Sequence, residues 1–325
     1  MRVSLITTGI MELNGLAAAL RRLFPDHDFH VEPDAPGKPF NGFTSCRVLP
    51  LSSADPPGKA VAMLRAALGT LLAAAPLAVP VASLDAQGTP DFSWEGRIPR
   101  GRWLYVRNLN GAIRVDRASG DKAEVIGEKR VRRGSGDAVR IEVKKLANDD
   151  ILICAIWNEN TTCDEDGYRT RGNDGWNRRN EVSVEFTVRL PEGVKLVSSS
   201  VNGSLRIEGA TSEVEASTVN GGILAYTSGG PVRASTVNGG IEVRMRETGT
   251  EDLDFETVNG SVEIELPAGL NADLDMRTVN GRVSSDFPLT LTGRINPRHI
   301  RATIGKGGQR LKVSTVNGSV DIRKM

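Results

Sequence analysis

The sequence predicts an all-β fold of stacked rungs, and three observations predict it. The pair Asn-Gly recurs at Asn202-Gly203, Asn220-Gly221, Asn238-Gly239, Asn259-Gly260, Asn280-Gly281 and Asn317-Gly318, with successive Asn 18, 18, 21, 21 and 37 residues apart. A fixed period in this range is the signature of a repeat architecture. The longest interval holds roughly two periods, which places a drifted rung near Thr303. Apolar residues alternate with polar ones on both sides of the pair, as in Leu253-x-Phe255-x-Thr257-Val258-Asn259-Gly260-x-Val262-x-Ile264, the period of a half-buried strand. Finally, the copies agree at the polar Thr and Asn as well as at the apolar positions.

Each copy therefore reads as strand, Asn-Gly corner, strand. Asn and Gly tolerate positive φ and turn the chain where a β-branched residue could not. Alone, Asn-Gly between alternating runs would be an ordinary hairpin. Hairpins need turn chemistry but not identity at equivalent positions. Stacked rungs do need it, because each residue sits about 4.8 Å above its counterpart. The expected fold is a β-solenoid, parallel β-helix-like, with 18–21-residue rungs; a meander or sandwich is the alternative. If alternation runs straight through the corner, Thr257 and Asn259 point inward and Val258 outward. Asn202, Asn220, Asn238, Asn259, Asn280 and Asn317, with Asn110 of a degenerate first copy, then form an internal amide ladder that satisfies buried polar groups.

Residues 1–62 differ from the rest. Residues 2–10 and 27–31 are strand-like, and residues 12–24 have helical spacing with Leu13, Leu16, Leu20 and Leu23 on one side. This α/β-like or helical segment is too short to bury a core alone. It reads as a mis-called start or fusion remnant, or else as a small N-terminal module. In residues 63–86, Met63-Leu64-Arg65 precedes an uncharged stretch, 66–84, broken by Pro76 and Pro80 and followed by Asp85-Ala86-Gln87. That is the layout of a secretory signal peptide cleaved after Ala86, with a retained membrane anchor or a soluble helix as alternatives. Residues 87–102 read as linker. The solenoid then spans 103–325, opening with Leu104-x-Val106-x-Asn108-Leu109-Asn110-Gly111-x-Ile113-x-Val115, where Asn108 stands in the place of Thr. Strands are expected at 123–126, 139–144, 150–156 and 182–190, as longer and less regular rungs that cap an end.

Residues 103–325 resemble the bacterial putative-adhesin family of repeated β-strand domains. The resemblance rests on VRNLNGAIRV, RLPEGVKLVSSSVNGSLRI, the STVNGGI copies, ELPAGLNADLDMRTVNGRVSSDFPL and IGKGGQRLKVSTVNGSVDI. It implies a β-solenoid on an exported or cell-envelope protein and brings no catalytic residues. The sequence departs from the family in residues 1–62 and in residues 155–180, which look like an insertion.

The insertion region holds Cys154 and Cys163. Two cysteines in an exported domain usually pair, so a Cys154–Cys163 disulfide is expected. They are too few for zinc without nearby His, and the histidines are His27, His30 and His299. The run Asp164-Glu165-Asp166-Gly167 could hold calcium, but Gly167 is misplaced for an EF-hand loop, and a solvated loop is the expectation. No metal or cofactor is expected.

Lys and Arg number 41 against 40 Asp and Glu, a formal charge of +1, so no global field recruits nucleic acid or acidic membrane. The basic patch at 128–133 reads as a solvated face. A polysaccharide-cleaving site would need carboxylates gathered on neighbouring rungs. The register stacks Glu242 on Glu263 and Glu265 on Asp286, with Arg244 one rung away. The equivalent positions Arg206, Leu224, Ser284 and Asp321 are a mixture that reads as ordinary charged surface. Gly305-Lys306-Gly307-Gly308 reads as a turn, not a phosphate loop.

The expected function is that of an exported envelope protein, periplasmic, surface-bound or secreted, with a non-catalytic adhesive or structural role. Glycan, cell wall or another envelope protein would be the partner; membrane enters only if residues 66–84 are retained. A regulatory scaffold would show an exposed apolar patch near Leu224 and Tyr226. An enzyme would lose activity on Glu263→Gln or Glu265→Gln. Arg323 and Lys324 are expected to protect the terminal strand edge from aggregation.

Overall fold

A computed structural model describes residues 90–170, 181–291 and 296–325. The readings of residues 1–62 and 63–86 lie outside them. Along the chain, β1 (Phe92–Arg97) leads to β2 (Trp103–Arg107), the Asn110-Gly111 corner and β3 (Ile113–Arg117). Next come β4 (Lys122–Arg133), β5 (Arg140–Lys145), β6 (Ile151–Ile156), the short β7 (Thr161–Cys163) and β8 (Tyr168–Thr170), and β9 (Glu181–Leu190). Regular rungs follow as β10 (Lys195–Ser199) with β11 (Leu205–Ala210), β12 (Val214–Ser217) with β13 (Ile223–Thr227), and β14 (Val232–Ser235) with β15 (Ile241–Met245). Then come β16 (Leu253–Glu256) with β17 (Val262–Leu266), and β18 (Ala272–Arg277) with β19 (Val283–Ser285). The chain closes with β20 (Leu289–Leu291), β21 (His299–Ile304), β22 (Gln309–Ser314) and β23 (Val320–Lys324).

The two strands of each rung lie in different sheets. Sheet I runs β1-β4-β9-β3-β11-β13-β15-β17-β23-β19, and sheet II runs β20-β21-β18-β22-β16-β14-β12-β10-β2-β6-β5. The pairs between rungs are parallel and in register, for example Ile241↔Val262 and Val243↔Ile264. This is an all-β solenoid. One face of each strand fills the space between the sheets, so Leu253, Phe255, Val262 and Ile264 are fully buried while the residues between them reach outward. Each buried aliphatic side chain contributes about 1.5–3 kcal/mol before chain entropy opposes it, so a rung is stable only when stacked on its neighbours.

The ends are closed by reversal. At one end β4 and β5 run antiparallel to β9 and β6; at the other, β21 runs antiparallel to β18, and β20 to β21. Part of the expected linker, Phe92–Arg97, is the outermost strand of sheet I, paired with β4. Thr303 lies in the capping strand β21 and not in a rung.

The rungs do not stack in chain order. The last rung, β22 with β23, inserts between β16/β17 and β18/β19. Two sequence expectations change as a result. Glu265 faces Arg323, not Asp286, and Arg323 and Lys324 sit on an internal strand, not on the terminal one, with β19 paired to that strand only as far as Ile322. The outermost strands at that end, β19 and β20, have only three residues each, and a short edge is itself a poor template for further pairing.

Candidate functional site

The corners carry two parallel systems of hydrogen bonds. Thr218, Thr236, Thr257 and Thr315 are buried, and each Oγ1 donates at 2.8 Å to the carbonyl of Gly203, Gly221, Gly239 and Gly260 in the adjoining corner. Thr278 does the same to Gly318. Asn108 replaces Thr by donating from Nδ2 to Gly111 O at 3.0 Å and Val184 O at 2.8 Å. The Asn side chains point the other way. Asn110, Asn220 and Asn238 are half-buried, and Asn202, Asn259, Asn280 and Asn317 are exposed, so the inward orientation expected of them is wrong. Alternation stops at the corner: Thr is in, Asn is out.

On the outside the seven Asn form one continuous amide column. Nδ2 of Asn202 donates to Asn110 Oδ1 at 3.1 Å, Asn220 to Asn202, Asn238 to Asn220 and Asn259 to Asn238 at 2.8 Å each, Asn317 to Asn259 at 2.7 Å, and Asn280 to Asn317 at 2.8 Å. All six bonds have the same polarity. Water can replace a lost partner on this exposed column but not behind it. Asn259→Ala is therefore expected to cost about 1 kcal/mol and Thr257→Val, which strands a buried Gly carbonyl, about 2 kcal/mol. Thermal melts of the two variants give the order, and a costlier Asn variant would contradict it.

The corner glycines are required by close approach. Among the corner pairs only Gly111 has a positive φ, +118°. A Cβ on Gly239 would lie 2.0 Å from Gly221 O, and one on Gly260 1.9 Å from Gly239 O.

The outer faces are covered by ion pairs that cross rungs. On sheet I, Arg244 pairs with Glu265, and Arg323 with Glu263 at 2.7 Å. Glu242 does lie beside Glu263, but Tyr226 Oη bonds Glu242, and Arg244 lies over the Tyr226 ring at 5.0 Å. Tyr226 is thus tied to two charged neighbours. The Arg244 hydrogen bond holds the Glu265 carboxyl below the usual range. Asp286 stands apart and accepts from Lys324 N at 3.4 Å. Each of the candidate carboxylates thus has a partner of its own.

On sheet II, Glu213 lies between Lys195, at 2.9 Å, and Arg233, with its side chain 13% exposed. Burial alone would raise its carboxyl; the bonds from Lys195 and Arg233 outweigh burial and hold it below the ordinary value. Such a group contributes stability above its unfolded pKa of about 4.3, and that stability is lost as pH falls through the folded pKa. The melting temperature is expected to fall on acidification below about pH 4, and Glu213→Gln should flatten that fall. An unchanged acid slope in the variant would contradict the assignment.

The insertion builds a second, smaller core outside sheet II. Strand β6 is buried at every position. Ile151, Ile153 and Ala155 face the main core, while Leu152, Cys154 and Ile156 pack outward with Cys163, Tyr105, Leu146 and Tyr168. Cys154 and Cys163 are disulfide-bonded. The β7–β8 hairpin closes over this face, with Tyr168 Oη donating to Ala155 O at 2.8 Å; burial pushes the Tyr168 phenol far above its ordinary pKa. The acidic run is the turn of that hairpin, where Asp164 Oδ1 accepts from Asp166 N and Gly167 N, and Arg169 pairs with Asp164 and Asp166. Among the described residues no three His, Cys, Asp or Glu side chains gather as a metal site would need.

Beside the hairpin lies a stripe that sequence reasoning missed. Trp103 and Tyr105 project from sheet II with ring centroids 6.0 Å apart. Lys195 Nζ stands 5.1 Å from the Trp103 ring and Arg107 5.9 Å from that of Tyr105. Arg107 donates to Glu165 O, and burial draws its guanidinium below the ordinary value. The signal was present in Trp103-Leu104-Tyr105-Val106-Arg107, whose alternation puts all three large polar-edged residues on the outer face.

The profile of the Toastrack DUF4097 family matches residues 104–323, the whole span of the coil just described. This chain belongs to that family. The Toastrack region is also similar to two solved structures. One is a putative cell adhesion protein from Clostridium sporogenes, 12% identical, with 72% of this chain and 99% of that one covered and a TM-score of 0.35. The other is a putative adhesin from Bacteroides fragilis, 9% identical, with 72% and 96% covered and a TM-score of 0.25. No curated protein matches the chain. In Toastrack terms, the Asn-Gly corners form one edge of the rack and the paired charges form its sides. Among the described residues no helix is long and apolar enough to cross a membrane.

Proposed function

We propose that this Toastrack chain is an exported cell-envelope protein with an adhesive, non-catalytic role, binding an extended glycan of the envelope along the outer face of sheet II. The observation that carries the reading is the Trp103–Tyr105 stripe, flanked by Lys195 and Arg107. Each ring carries a cation over one face, and a half-buried aromatic with a cation beside it suits the apolar face and hydroxyl rim of a sugar ring. The disulfide beside the stripe supports an oxidising compartment. A non-catalytic role fits carboxylates that are each engaged by a partner, as Glu263 is by Arg323.

The test starts from the protein expressed from its own gene. A mature N-terminus near Gln87 in a periplasmic, surface or secreted fraction is expected, as is retention on purified cell-wall glycan that a Tyr105→Ala, Lys195→Ala double variant weakens. An intact Met1 in the cytosol would overturn the exported reading. Undiminished retention by a folded double variant would overturn the stripe.

A further inference from the structure

Asn-Gly is chemically self-reactive. The backbone nitrogen of Gly, unhindered by a side chain, can attack the side-chain carbonyl carbon of the preceding Asn. This fold holds seven such pairs in equivalent corners and shields six. In each of the six the Gly N–H donates to the Asn carbonyl of the next rung: Gly111 to Asn202 at 2.8 Å, Gly203 to Asn220 at 3.1 Å, Gly221 to Asn238, Gly239 to Asn259 and Gly260 to Asn317 at 3.0 Å, and Gly318 to Asn280 at 3.1 Å. A nitrogen whose proton is held in that bond must break it before it can attack.

Gly281 is different because Asn280 lies in the outermost rung. Among the described residues no corner lies beyond it and its N–H has no acceptor. Both residues are exposed. The Asn280 side chain is also held at one end only, by its 2.8 Å bond to Asn317 Oδ1, since no further rung donates to its own oxygen. Asn110 at the opposite end has likewise lost a ladder neighbour, yet its Gly111 N–H remains tied. Exposure alone does not set the pattern, because Asn202, Asn259 and Asn317 are exposed too and their glycines are held.

We propose that Asn280 is a site of spontaneous deamidation in the folded protein, with water as the co-reactant. Gly281 N gives up its proton to solvent and attacks Asn280 Cγ. The new C–N bond forms as the bond to the side-chain nitrogen breaks, and that nitrogen takes up a proton and leaves as ammonia. The resulting cyclic imide takes up one water at either carbonyl, opening to aspartate or isoaspartate. The net change is amide plus water to carboxyl plus ammonia, with no redox step. The product places a carboxylate against Asn317 Oδ1 where a donor stood, and the isoaspartyl form lengthens the main chain by one methylene. Only the outermost corner is altered, so the stack records its age at its end without opening its interior.

The experiment ages the full-length protein in mildly alkaline buffer and follows each Asn-Gly peptide by mass spectrometry. Conversion at Asn280 is expected at least about tenfold faster than at any other corner, the kind of difference local protection imposes. In denaturant the seven corner pairs should convert at comparable rates. Asn280→Gln should abolish the fast phase while leaving the melt close to the parent's. Equal conversion at Asn238 or Asn259 in the folded protein would overturn the proposal. So would an Asn280 preference that survives unfolding, which would make the cause local sequence and not the fold.

Discussion

Deleting residues 309–325 is expected to destroy the fold of the C-terminal third, not merely to shorten it. Those residues form the rung between β16/β17 and β18/β19. Leu311, Val313, Val320 and Ile322 are essentially fully buried there, which at about 1.5–3 kcal/mol each amounts to roughly 6–12 kcal/mol. Net domain stability is about 5–15 kcal/mol. The truncated chain should become protease-sensitive across 267–308 and melt far lower, with the full-length edges of β16 and β17 open to aggregation. A truncated chain that melts within about 2 °C of the intact one would show that β18/β19 can dock directly on β16/β17.

The second large effect is at a corner. Gly239→Ala puts a methyl group 2.0 Å from Gly221 O. Neither partner can yield, because both are main chain within the parallel ladder. We expect a loss of about 3 kcal/mol, at the upper end for overpacking. The adjacent Gly240 supplies the control. It is exposed, its Cβ would come no nearer than 3.3 Å to Ser261 O, and three of the six other copies carry serine at the equivalent position, Ser204, Ser261 and Ser319. Gly240→Ser should stay within about 0.5 kcal/mol of the parent. Equal melting temperatures for the two variants would mean that corner spacing is softer than the stacking requires.

Much of this was legible beforehand. Alternation around each Asn-Gly gave the strands and their buried faces, because side chains on a pleated strand have a period of two. The same rule misplaced the Asn side chains, since it fails where the chain leaves the strand: Thr257 is buried, Asn259 exposed, and the glycine between rungs is there for proximity. Rung order was not legible at all. The Asn-Gly phrase is local, and nothing in Thr315-Val316-Asn317-Gly318 says which rung it will lie against. The second core could have been found. Ile151-Leu152-Ile153-Cys154-Ala155-Ile156 is apolar at every position, which marks a strand covered on both faces, while the hairpin that covers it shows no periodicity of its own. The Trp103–Tyr105 stripe lay in plain alternation, but outward aromatics are read as surface until a structure sets their neighbours beside them.

The inserted rung also acts as a keystone for synthesis. A chain emerging from its N-terminus can build the stack through β17 as each copy appears, but β18 and β19 have no parallel partner until residues 309–324 arrive. Completion of the fold therefore waits for that segment, and a product stopped before it remains visibly unfinished to any protease. Gene duplication meets the same boundary. Whole copies can be added or lost among the 18-residue repeats upstream, where every junction is like the next, while the closing segment must be inherited as one piece.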